Sequence, residues 1–187
     1  KNNIYLGTVS RVEPSLQAAF IEFGLEKKAF LPFDEIHPSY FKIPHNEKIL
    51  INGSQKNNEI DDEKENKKHF LSFYRKYKIQ DVIKKDQVLL IQIVKEERGT
   101  KGAAVTTFIS LPGRYSVLLP NNSSTGGVSK KISNPLDRKR LKKLHDNFNL
   151  PDGMSLIIRT NAISAEDEDI IADFSYLRKL WTKIRED

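Results

Sequence analysis

Arg159-Thr160 closes a strand-like run that begins at Met154, and it places a guanidinium fork beside a hydroxyl. Together those groups can hold a terminal phosphate, although as a bare dipeptide the motif specifies little. A second candidate comes from strand parity, because alternate residues of a strand point to opposite faces. Ala19, Ile21 and Phe23 share one face, and Phe20 shares the other with Glu22; Phe30 shares its face with Lys28, while Ala29 and Leu31 point inward. Two phenylalanines are thus expected on the charged, outward face of neighbouring strands, where either another element covers them or a ligand does. A fitting ligand is single-stranded nucleic acid, each base stacked on an aromatic ring contributing on the order of 1–3 kcal/mol. Lys95, Arg98 and Lys101, in the charged turn "KEERGTKG" at 95–102, would supply phosphate contacts beside them. A third basic group, Lys130, Lys131, Arg138, Lys139, Arg140, Lys142 and Lys143 against Asp137, is equally well explained as a solvated helix face.

Other chemistries are excluded or disfavoured. With no cysteine there is no disulfide, thiol nucleophile or zinc ribbon, a composition that fits a reducing compartment. His37, His45, His69 and His145 lie scattered, no two at the i, i+4 spacing of a helical metal site. The Gly-x-Ser-x-Gly elbow, the P-loop and the dinucleotide fingerprint are missing. Asp61, Asp62, Glu63 and Glu65 sit in a segment too polar to hold ligands rigidly, and Glu166 to Asp169 read as the acidic first turn that a helix dipole favours. No catalytic residue and no metal site is therefore expected in this chain. The 187 residues carry 31 Lys and Arg against 25 Asp and Glu, a formal charge of +6 that favours a polyanionic partner. No apolar run is long enough to span a membrane, and the start at Lys1 rather than Met suggests a trimmed chain.

The elements that must position these residues follow from periodicity. Ile4 to Val12, Gln17 to Phe23 and Lys27 to Leu31 alternate as a meander of antiparallel strands, and Val88 to Val94 with Ala103 to Leu111 continue the pattern. Five strands with the longest loop near the middle suggest a small closed barrel of the OB type. Residues 52–69 contain Ile60 as their one large apolar side chain and are expected to be a mobile insertion, within a loop at about 43–72. The second half is mixed. Tyr115 to Leu119 is a strand; Asn134-Pro135 marks a helix start, with Leu141, Leu144 and Phe148 on one stripe; and Met154 to Thr160 is another strand. Ser164 with Asp167 has the spacing of a capping box opening a long helix through Ile170, Ile171, Phe174, Leu177, Trp181 and Ile184. The fold class is α+β.

In that order along the chain, "NIYLGTVSRVEPSLQAAFIEFG", "FLPFDEI", "IVKEERGTKGAAVTTFISLPGRYSVLLPNN", "GGVSKKI" and "LPDGMSLIIRT" resemble successive motifs of the ribonuclease E/G family. The resemblance covers nearly all of the chain except 43–72. It implies an RNA-binding OB-fold of the ribosomal-protein-S-one type over about 1–107 and a 5′-sensor domain over 108–187. It further implies RNA contacts at Phe20, Phe30 and Lys101, with Lys28 and Arg98 beside them, and a 5′-monophosphate pocket at Gly113, Val117, Arg159 and Thr160. By the same resemblance the parent is a cytoplasmic, homo-oligomeric endoribonuclease of RNA processing and decay. Its magnesium-binding aspartates, its Cys-x-x-Cys zinc link and a further pocket arginine are absent here. The expected partner is single-stranded RNA with a 5′-monophosphate, and this piece alone is expected not to cleave it. The loop Ser123-Ser124-Thr125 lacks an arginine that many members carry. Two rivals remain: a non-catalytic translation- or ribosome-associated RNA-binding module built on the same OB-fold, and a self-sufficient nuclease using the acidic loop.

Overall fold

Alternating apolar residues build a five-stranded barrel. In the computed structural model, which describes residues 2–44, 71–122 and 126–186, β1 (Ile4–Glu13), β2 (Ala18–Glu22), β3 (Ala29–Pro32), β4 (Val88–Lys95) and β5 (Ala104–Thr106) close in the order β1-β2-β3-β5-β4. β1 pairs antiparallel with β2 and β4, and β3 meets β5 in parallel at Phe30 opposite Ala104. Val9, Ile21, Leu31, Leu89, Ile91 and Val105 point inside and are buried. Helical residues 71–76 (α1) and Ile79–Val82 (α2) add Phe73, Ile79 and Val82 to this core beside Phe33 and Phe41. The Tyr74 hydroxyl donates to the Ile36 carbonyl at 2.7 Å. The insertion expected at 52–69 lies outside the described residues.

The chain divides into two compact units, Lys1–Ile109 and Ser110–Asp187. The second holds a four-stranded sheet of order β6-β7-β9-β8, from β6 (Leu111–Pro112), β7 (Ser116–Leu119), β8 (Gly127–Val128) and β9 (Ser155–Ile158). α3 (Pro135–Asp146) packs on β8 and β9, and α4 (Asp167–Glu186) on β6 and β7. Leu118, Leu156, Leu141, Ile170 and Leu177 are buried in this unit. Phe148 lies just beyond α3 and stacks on Phe174 of α4, ring centroids 4.3 Å apart. Barrel and helix-backed sheet together make an α+β fold with an OB-type barrel.

The α3 start is as the sequence suggests: Asn134 Oδ1 accepts from the Leu136 and Asp137 N–H groups at 2.9 and 3.4 Å, with Pro135 opening the helix. The α4 start is not. Ser164 ends a 3-10 helix, Thr160–Ser164, and its hydroxyl donates back to the Asn161 carbonyl, so no capping box forms. The Ile170 N–H instead bonds the Glu166 carbonyl, and the helix begins at Asp167. The run Ala103 to Leu111 is two strands, β5 and β6, which join different sheets.

Candidate nucleic-acid interface

On the barrel, the β2–β3 pairing puts Phe20 directly opposite Phe30, both half-buried, while Ala19, Ile21, Ala29 and Leu31 on the other face have no exposure. The two rings meet edge to face with centroids 5.9 Å apart. Arg11 joins them, its guanidinium carbon 4.4 Å from the centre of the Phe20 ring. Strict alternation from Val9 sends Arg11 inward, and a bulge corrects it: the register jumps from Val9 opposite Ile21 to Arg11 opposite Phe20. Sequence parity missed this residue because a bulge carries no compositional mark here.

The basic residues arrive at the same strand edge through one hairpin. Arg98 and Lys101 exchange both backbone hydrogen bonds, at 3.1 and 2.8 Å, in a tight turn. The turn folds against the segment before β3. Lys27 Nζ donates to the Gly99 carbonyl, and the Phe30 N–H donates to the Ala103 carbonyl at 2.8 Å. Gly102 permits this approach, since a Cβ there would stand 2.0 Å from the Lys28 carbonyl oxygen. Lys28, Arg98 and Lys101 are exposed, and Lys95 is exposed at the end of β4 opposite Ala104. An aromatic pair flanked by exposed cations is chemically suited to stacking bases while binding their phosphates.

In the second unit, the predicted phosphate residues gather around the tip of the β6–β7 hairpin. Gly113 N–H donates to the Ser116 carbonyl at 2.7 Å, closing the turn. Arg159 follows β9, its N–H donating to the Tyr115 carbonyl at 2.8 Å and its Nη1 to the Gly113 carbonyl at 3.3 Å. Both Arg159 and Thr160 are exposed. Val117 is half-buried on β7, opposite Ile157 of β9 and Pro112 of β6. The Gly113 N–H is thus spent inside the turn. Asn161 donates to the Arg114 carbonyl. From α4, the Asp173 carboxylate accepts the Arg114 N–H at 2.9 Å, the Tyr115 N–H at 3.0 Å and the Ser116 hydroxyl at 2.9 Å. A Cβ on Gly113 would stand 2.6 Å from both of its oxygens, so only glycine lets helix and hairpin meet this closely.

Asp173 and Asn161 escaped the sequence reading, because the groups they bind lie 47 to 59 positions away. The loop Ser123-Ser124-Thr125 lies outside the described residues. Concavities of about 380 Å³ beside Tyr40 and Lys42, and about 700 Å³ beside Arg140 and Asp167, include none of these residues. Arg140 at the latter is consumed by Asp167 at 3.0 Å and by the Ile163 and Ala165 carbonyls. Among the described residues no group of three or more His, Asp or Glu side chains converges as metal ligands. No described helix is long and apolar enough to cross a membrane.

Residues 110–187 match the model of the ribonuclease E/G family. Across its length the chain is 40% identical to ribonuclease E of Escherichia coli (99% of this chain, 15% of that protein) and 41% identical to ribonuclease E of Buchnera aphidicola from Acyrthosiphon pisum (99% and 18%). It is 38% identical to ribonuclease G of Escherichia coli (98% and 32%). The chain thus spans less than two fifths of the length of these relatives. Identity near 40% extends over practically the whole chain, both units included, and on that ground the chain belongs to the ribonuclease E/G family.

Proposed function

We propose that this chain is the RNA-holding part of a ribonuclease E/G-type endoribonuclease acting in RNA processing and decay. Single-stranded RNA lies across Phe20 and Phe30, with Arg11, Lys28, Arg98 and Lys101 on its phosphates. A 5′-monophosphate end is held by Arg159 and Thr160 at the rim formed by Gly113 and Val117. The observation that carries this reading is the directly opposed, outward Phe20–Phe30 pair with a guanidinium on one ring and an exposed basic hairpin beside it. Large apolar rings on a charged outward face usually have a cover or a ligand, and stacked bases are the ligand that fits. Cleavage belongs to the longer protein, where magnesium bound by carboxylates outside this chain would activate water. The cytoplasm, and a homo-oligomer of that longer protein, complete the proposal.

The test is the affinity of the 187-residue chain for one single-stranded oligoribonucleotide bearing either a 5′-monophosphate or a 5′-hydroxyl. Tighter binding of the phosphorylated RNA, with the preference lost in Arg159→Ala and both RNAs weakened by Phe20→Ala, supports the assignment. Equal binding of both ends overturns the phosphate site; indifference to Phe20→Ala overturns the stacking face. Cleavage by the clean chain with magnesium would restore the self-sufficient nuclease.

A further inference from the structure

Resting on the phosphate-end reading above, we propose that Arg114 is a second guanidinium of that site, presented there by a hairpin tip that Asp173 holds in place. Arg114 is exposed at the centre of the tip; within the described residues its guanidinium makes no hydrogen bond or ion pair, and its central carbon lies 5.3 Å from the Tyr115 ring centre. Its backbone, by contrast, is held from both sides: the N–H by Asp173 at 2.9 Å, the carbonyl by the Asn161 amide. The residue is a fixed base carrying a cation that has no ion-pair partner among the described residues.

Arg159 stands beside it. Its Nη1 is 3.3 Å from the Gly113 carbonyl oxygen, and that oxygen shares a peptide unit with the Arg114 Cα, less than about 3 Å away. The Arg159 guanidinium thus lies within one arginine side chain's reach of the Arg114 backbone. Each guanidinium offers five N–H donors, of which Arg159 gives one to Gly113. A dianionic terminal phosphate has more acceptor oxygens than one fork can satisfy, so two forks converging from one tip match its chemistry. The acidic group facing the tip is Asp173, and both of its oxygens are engaged by the three donors of residues 114–116. Asp173 is a positioning residue and Arg114 a binding residue.

The experiment compares the unmodified chain with Arg114→Ala, Arg114→Lys and Arg159→Ala, reading dissociation constants for the same RNA with a 5′-monophosphate and with a 5′-hydroxyl, alongside melting temperature. Arg114→Ala is expected to weaken the phosphorylated RNA roughly threefold to tenfold, the modest size an exposed ion pair allows, and to leave the hydroxyl RNA unchanged. Arg114→Lys should restore part of the loss, since charge survives but the fork does not. If Arg159→Ala removes the preference and Arg114→Ala does not, the phosphate site stands and this inference falls. If neither affects it, the site reading itself has failed. An equal loss for both RNAs would make Arg114 a general phosphate contact and overturn its role at the 5′ end. Melting temperatures within error of the unmodified chain are required, because the Arg114 side chain is exposed, its guanidinium lying against the Tyr115 ring.

Discussion

Phe20 and Phe30 are half-buried on one face of strands whose other face is fully buried, and that asymmetry separates binding from folding. Phe20→Ala or Phe30→Ala should weaken single-stranded RNA by on the order of 1–3 kcal/mol. The cost to the barrel should stay near the roughly 0.5–1.5 kcal/mol of one aromatic pair plus a partial loss of burial. Ile21→Ala, between them in sequence but with no exposure, should cost about 2–5 kcal/mol of stability. Urea titrations beside RNA titrations check this; a phenylalanine variant that melts like Ile21→Ala would mark its ring as core. Since the rings pack edge to face with centroids 5.9 Å apart, the double variant should lose less than the sum of the singles. Gly102 tests the same face through backbone. A methyl group 2.0 Å from the Lys28 carbonyl forces hairpin and strand apart, so Gly102→Ala should destabilise by about 1–3 kcal/mol and weaken RNA with both aromatic rings intact.

Among the elements, the segment around α1 couples barrel stability to pH through Tyr74. Burial, with Asp34 and Glu35 nearby, pushes its hydroxyl well above the ordinary value near 10. The folded state therefore keeps the proton that the unfolded chain gives up. Its contribution is complete below pH 10 and is lost as pH rises beyond it. Tyr74→Phe should flatten the fall in melting temperature above pH 10 and cost about 1 kcal/mol at neutral pH for the bond to Ile36. A variant that falls as steeply as the unmodified chain would show that other groups govern the alkaline limb. Most elements were legible in sequence where one face is apolar: the barrel strands, the Asn134 cap and the stripe of α4 all follow periodicity. Illegible were features set by long-range partners. The parallel β3–β5 pairing rests on Phe30 and Ala104, some seventy positions apart; β8 is two residues of a glycine-bearing loop; and Ser164 lost its helix to a 3-10 turn.

For the whole molecule, the charge of +6 makes RNA binding salt-dependent, but the structure limits how steeply. If Arg11, Lys28, Arg98 and Lys101 each meet one phosphate of a strand with a 5′-hydroxyl end, log affinity should fall with log salt at a slope no steeper than about −3, at roughly −0.7 per contact on a single strand. Replacing Lys101 by Ala should reduce that slope by about 0.7 with little change in stacking; an unchanged slope would remove Lys101 from the interface. The candidate site was legible in sequence as residue types, namely two outward aromatics and an Arg-Thr pair. What assembles them was not: the Ser10 bulge that turns Arg11 outward and the Asp173 carboxylate that holds residues 114–116 arise from pairing and packing. The most direct test of the central claim is nuclear magnetic resonance of the 187-residue chain titrated with a 5′-phosphorylated single-stranded oligoribonucleotide. Saturable shifts are expected for the Phe20 and Phe30 ring signals and for the Lys28, Lys101, Arg114 and Arg159 amides, with the buried Leu89 and Ile91 amides still. Shifts that bypass both phenylalanine rings, or none at millimolar RNA, would contradict that claim.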